Sequence, residues 1–167
     1  MTQLVFFRSN SERYESKEDT FDISKIQIDL EPNTLQRELL MRNVSRINAL
    51  PSDTYIMYKT GSLHRDFKKY PGNTYPYLYD YSTNRQISIV LTRTTYPSIC
   101  IPMKFVDNRK LMMVFHRLVA MCFLPNDDPN HKITVDHLDE DKLNYSLDNL
   151  EWASMSENTR RRKKNND

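Results

Sequence analysis

Glycine is nearly missing from this chain: its 167 residues include only Gly61 and Gly72, where average usage of about 7% would supply roughly a dozen. Neither belongs to a glycine-rich cluster. That excludes the P-loop, the dinucleotide-binding fingerprint and the nucleophile elbow, each of which needs glycines at fixed spacing. Cysteine is equally scarce. Cys100 and Cys122 stand far apart, each inside an apolar run, so they read as small buried hydrophobes of a reducing compartment. No Cys or Cys/His spacing suits a structural zinc. Long apolar runs are missing too. Nothing approaches the roughly 18 residues that a membrane-spanning helix requires, so no membrane partner is expected. The opening MTQLVFFRSNSERYESKED has neither a basic leader nor a long apolar core, which points to an intracellular protein rather than a secreted one.

What is present is charge, unevenly placed. The total is +2, but residues 32–117 hold 13 Lys and Arg against 5 Asp and Glu, a net +8, between flanks of net −3 each. Five of the seven bases in the last flank are the consecutive run Arg160, Arg161, Arg162, Lys163 and Lys164. A basic middle beside an acidic cluster and a basic tail suits a nucleic-acid binder with a cation site.

Three regions follow from this texture. Residues 1–31 read as a polar N-terminal arm, with a short extended piece at Ile23–Leu30. Residues 32–115 read as a basic helix-plus-sheet region. Within it, Leu35, Leu39, Leu40, Val44, Ile47 and Leu50 recur at helical spacing and predict a helix over 34–49, with Arg37, Arg42 and Arg46 on its solvated face. The runs TYIMYK, YPYLYDY, QISIVLT, SICIPMKFV and KLMMVF alternate with turn signals and predict a small antiparallel sheet. Asp107-Asn108-Arg109-Lys110 makes a hairpin tip, and a short helix is expected over 116–123. Residues 116–164 form the third region, and the fold class is α+β.

The chemistry concentrates in ITVDHLDEDKLNYSLDNLEWASMSENTRRRKK, residues 133–164. A strand over 133–137 ends in Asp-His, a polar loop spans 138–148, and Leu150–Ala153 makes a second strand. Ser154 with Glu157 then forms a capping box for a helix carrying Asn158. This β-loop-β-α run brings Asp136, His137 and Asn158 together. Carboxylate and amide oxygens at Asp136 and Asn158 are hard ligands that suit Mg²⁺ or Mn²⁺ rather than zinc. His137, on the other face of an extended strand, is placed to take a proton from an attacking water. The amide oxygen of Asn149 is expected to hold its second ring nitrogen.

These residues resemble the HNH (ββα-metal) endonucleases, especially the phage- and intron-encoded homing type. The matching pieces run in order: His116-Arg117-Leu118-Val119, Asp136-His137-Leu138-Asp139, Asn144, Asn149-Leu150-Glu151-Trp152 and Ser156-Glu157-Asn158. The resemblance implies a metal-dependent DNA endonuclease with one divalent cation, Mg²⁺ or Mn²⁺, held by Asp136 and Asn158. It implies His137 as general base, Asn149 as the residue that orients it, and structural roles for His116 and Asn144. It also implies DNA as partner, met by Lys104, Arg109 and Lys110 of the hairpin tip and by the tail Arg160–Lys164. A monomer would nick one strand, and a homodimer would cut both. A phage- or virus-infected cell is the expected setting.

Two departures matter. The family's loop commonly reads Asp-Gly where this chain has Asp139-Glu140, and often has paired asparagines where it has Asn144-Tyr145. They leave open a catalytically silent nucleic-acid-binding or virion-associated protein that keeps the fold, and an RNA- or structure-selective nuclease. If position 140 needs a positive φ, Glu140 strains the loop by about 1 kcal/mol or more. His64 and His131 carry no pattern and are expected at the surface, while Trp152 is expected to pack in the core.

Overall fold

Burial alternates residue by residue along Ser98–Pro102, Lys110–Val114 and Thr134–His137, and the structure is a computed structural model describing residues 19–28, 30–31, 33–91, 95–104, 106–157 and 159. Strands β1 (Thr20–Asp22), β2 (Tyr55–Ser62), β3 (Tyr75–Asp80) and β4 (Arg85–Gln86) form one antiparallel sheet in chain order. The β2–β3 register slips between Tyr58 and Ser62, where Gly61 sits at φ 116°, a conformation that side chains rarely adopt. Strands β5 (Ser98–Pro102) and β6 (Lys110–Val114) make a separate hairpin that turns Ile99, Ile101, Leu111 and Met113 inward.

Helix α1 (Leu35–Asn48) starts where Thr34 Oγ1 accepts from the Arg37 N–H at 3.2 Å. Its buried row is Leu40, Val44 and Ile47. Leu35 and Leu39 fall roughly 100–140° round the helix from Leu40 and stay exposed. Arg46 reaches Asp107 at 3.0 Å and ties α1 to the hairpin tip. Helix α2 (Phe115–Phe123) is apolar on nearly every side and is the pillar of the core: Phe115, Leu118, Val119 and Ala120 have no exposed surface. It packs against the four-stranded sheet, the β5–β6 hairpin and the last hairpin, β7 (Thr134–His137) with β8 (Leu150–Ala153).

Two expectations need correction. Within the supposed polar arm, residues 19–28 and 30–31 belong to the fold: β1 pairs with β2, and Ile23, Ile26 and Leu30 are buried. The buried Asp22 carboxylate accepts from Ser24 N–H at 3.0 Å and from Asp53 N–H at 2.8 Å, closing this segment onto the turn before β2. Polar neighbours concealed it: Ile23 sits between Asp22 and Ser24, and Ile26 between the exposed Lys25 and Gln27. The remainder of the arm, residues 1–18, lies outside the described residues. The run QISIVLT is not a full strand either: only Arg85–Gln86 pairs with β3, and Val90 bridges Ser98. Its apolar residues cross from one sheet to the next hairpin instead of continuing a ladder. No helix among the described residues is long and apolar enough to cross a membrane.

Candidate active site

Strand β7 alternates half-buried Thr134 and Asp136 with buried Val135 and His137, so the carboxylate and the imidazole leave opposite faces of the strand. The His137 N–H donates to Asp136 Oδ1 at 3.1 Å. The His137 ring is 6% exposed. It lies 4.6 Å from the ring of His116, centroid to centroid, and 5.6 Å from that of Tyr96, with which it is stacked at 12°. Tyr96 also touches the His116 ring at 4.9 Å, closing a triangle of three rings.

Burial disfavours the charged form of both imidazoles. Burial pushes the His116 pKa down to about 3, with the nearby charges of His137 and Arg117 acting in the same direction. Burial also lowers that of His137, against the upward pull of Asp139, Asp136 and Asp141. Nδ1 of His116 and Nε2 of His137 are buried without hydrogen-bond partners. Arg117 is half-buried, its Nε is likewise without a partner, and burial lowers its pKa. No carboxylate pairs with it among the described residues. A buried guanidinium without a counter-ion is costly and is matched to an incoming oxyanion.

The loop that follows is self-braced. Glu140 N–H donates to His137 O at 2.9 Å. Asp139 Oδ1 accepts from Asp141 N–H and from Asn149 Nδ2, and Oδ2 accepts from Asn144 Nδ2, all at 2.8 Å. Burial raises the Asp139 pKa, but these hydrogen bonds outweigh it and hold the carboxyl below its usual range. Downstream, Ser154 N–H donates to Glu157 Oε2 at 2.9 Å and Glu157 N–H to Ser154 Oγ at 3.1 Å, the reciprocal capping box expected there.

A strand ending in Asp-His, a braced loop, a second strand and a capped helical turn make a β-β-α unit, and the family described as HNH endonuclease matches residues 114–160. The chain carries an HNH endonuclease module. Among similar proteins, an uncharacterized HNH endonuclease of Acanthamoeba polyphaga mimivirus, L247, is 31% identical over 118 residues, covering 68% of this chain and 29% of its own. The H-N-H endonuclease F-TflII of Escherichia phage T5 is 29% identical over 85 residues, 51% of this chain and 42% of its own. This chain therefore spans less than half the length of either relative. The solved structure of the HNH homing endonuclease I-HmuI, described for DNA binding and cleavage, shares the fold at a TM-score of 0.51 and 20% identity, covering 69% of this chain and 55% of that one.

Three placements differ from expectation, two of them within the HNH module. The Asn149 amide oxygen does not hold the His137 ring: it accepts from Asp139 N–H at 2.9 Å, while its Nδ2 reaches Asp139 and Asn144 O. Asn149 braces the loop, and the rings of His116 and Tyr96 flank His137 instead. His116 is thus more than a helix start. His64, expected at the surface, is 1% exposed and stacks between Tyr70 at 4.2 Å and Tyr145 at 4.6 Å. Its Nδ1 accepts from Asp66 N–H at 2.9 Å, so Nε2 carries the hydrogen and donates to Leu143 O at 2.7 Å. With Tyr70 Oη donating to Asp141 Oδ2 at 2.5 Å, the segment before β3 is bolted to the active-site loop.

Other residues sit as follows. Asn144 spans the loop from Asp139 to Ser146. His131 is exposed beside Asp128, and Trp152 donates from Nε1 to Leu124 O at 3.0 Å. Lys104, Arg109 and Lys110 are exposed at the β5–β6 tip. Asn158 and the basic run 160–164 lie outside the described residues. Tyr96, His64 and Tyr70 have no motif to mark them. The only trace was Tyr145, the departure from paired asparagines, whose ring fills the space beside His64, Tyr75 and Phe115.

Proposed function

We propose that the HNH module hydrolyses DNA phosphodiester bonds with one Mg²⁺ or Mn²⁺ and His137 as general base. The observation that carries this reading is a neutral, ring-packed His137 next in sequence to a half-buried carboxylate, with the unpaired Arg117 nearby. The donor set fits the cation: Asp136 offers hard oxygen, and the capping box opens the turn that leads into Asn158, its proposed co-ligand. When bound, the cation neutralises a phosphate oxygen and charge on the leaving 3′-oxygen. His137 accepts the proton of the attacking water, and Arg117 meets a phosphate oxygen with its free guanidinium. Lys104, Arg109, Lys110 and the tail Arg160, Arg161, Arg162, Lys163 and Lys164 hold the DNA backbone. One module has one active site, so a monomer nicks and a homodimer is needed for a double-strand cut. A virus- or phage-infected cell is the setting that the mimivirus and T5 relatives support.

The silent-binder reading drew on Glu140 and Tyr145, and both are accommodated: Glu140 stands at φ 64° in a closed turn, and Tyr145 is buried among rings. The test is supercoiled plasmid incubated with protein and Mg²⁺ or Mn²⁺. Nicked circles are expected with metal, none in EDTA, and a large loss for Asp136→Ala. Intact plasmid across AT-rich and GC-rich substrates would overturn the proposal.

A further inference from the structure

The loop between β2 and β3 carries two large apolar side chains in solvent, Leu63 at 57% and Phe67 at 56% exposed. Single exposed apolar residues are ordinary, but this pair has an unusual setting. Arg65, Lys68 and Lys69 flank Phe67 at the surface, with Asp66 as the one acid of the stretch. The crest is held stiffly: Tyr70 N–H donates to Asp66 O at 3.0 Å and Lys69 N–H to the same oxygen at 3.2 Å, closing a helical turn around Phe67. Arg65 also donates to Ile89 O at 2.5 Å.

The two ends of this turn are the residues that bolt it to the active-site loop. His64 donates to Leu143 O and Tyr70 to Asp141, so Phe67 projects from a base fixed to the loop that follows His137. A cation-flanked apolar side chain on a rigid crest is what a protein uses to open a base step while lysines and arginines hold the phosphates on either side.

We infer that Phe67 is a wedge for duplex DNA: it enters a base step beside the scissile phosphate, with Arg65, Lys68 and Lys69 on the adjoining phosphates. This inference rests on the DNA-nuclease reading above, and it adds a source of selectivity: steps that unstack easily are engaged first.

The experiment closes relaxed plasmid with a topoisomerase in EDTA, where no cleavage occurs, and reads the linking number. Wild type is expected to lower it, Phe67→Trp to retain the effect, and Phe67→Ala, compared at equal DNA occupancy, to melt as wild type yet leave the linking number unchanged. With Mg²⁺, Phe67→Ala is expected to nick relaxed DNA about tenfold more slowly, in the range that base–aromatic contacts contribute, and to lose less on negatively supercoiled DNA, which is already untwisted. A Phe67→Ala protein that unwinds DNA like wild type would overturn the wedge. So would a wild type that nicks without changing the linking number, which leaves the nuclease reading intact. Unwinding without nicking under any metal condition would sink the nuclease reading and leave the wedge standing. If Phe67→Ala instead converts a dimer into a monomer at equal concentration, the surface joins two copies of the chain, and the wedge is again overturned.

Discussion

The rings of His116 and His137 meet at 4.6 Å, centroid to centroid, with Nδ1 of the first and Nε2 of the second both buried and unpaired. Two imidazoles in such contact cannot readily carry two positive charges, and burial disfavours even one. The pair is therefore neutral at pH 7, the form in which His137 can accept a proton.

The pH–rate profile follows from that. Because burial holds the pKa of His137 below its ordinary 6.5, the acid limb of the nicking rate is expected to be centred below pH 6.5, with the rate level toward pH 8. Single-turnover nicking between pH 5 and pH 8 checks it. An acid limb centred above pH 7 would contradict the neutral pair.

Stability has its own acid limit. His116, His64 and His137 have folded pKa values lowered mainly by burial. The unfolded chain protonates near 6.5, so it binds more protons than the fold as pH drops below that value. Stability is thus complete above pH 6.5 and is lost progressively toward pH 3, by up to about 1.4 kcal/mol per pH unit for each histidine still neutral in the fold. Urea unfolding at pH 4.5, 5.5 and 7 measures the slope. His116→Phe, which keeps a ring and removes an unpaired nitrogen, is expected to flatten it.

How much of this was legible in the sequence depends on the range of the interaction. The capping box of Ser154 and Glu157, the start of α1 at Thr34 and the alternation that separates Asp136 from His137 are local, and spacing alone located them. Tyr96 against His137 and His64 against Tyr145 join segments far apart in the chain, so nothing in periodicity announces them. Asn149 failed for a different reason. Its amide has several candidate partners within the loop, and the Asp139 backbone N–H is the one its oxygen takes.

Tyr70 tests the bolt between the sheet and the active-site loop. Tyr70→Phe removes only the hydroxyl that donates to Asp141, at a cost of about 1–2 kcal/mol. With this variant kcat is expected to fall severalfold, with DNA affinity unchanged well below the melting temperature. His64→Leu strands Leu143 O and Asp66 N–H and is expected to destabilise by about 1–3 kcal/mol. Thermal melts alongside kcat and KM separate the two effects.

Glu140 occupies the position where the resembling family places glycine, and its φ of 64° explains that preference. Glu140→Gly is expected to remove about 1 kcal/mol of strain and raise Tm by roughly 2–4 °C, whereas Glu140→Val lowers it. A melting temperature insensitive to both substitutions would mean that the turn carries no strain.

Whether His137 moves the proton is read by comparing wild type with His137→Ala at equal DNA occupancy under saturating Mg²⁺. Binding is expected to be unchanged and the single-turnover nicking rate lower by about 10²–10⁴-fold, the usual contribution of a general base. Nicking by His137→Ala within a factor of a few of wild type would contradict it.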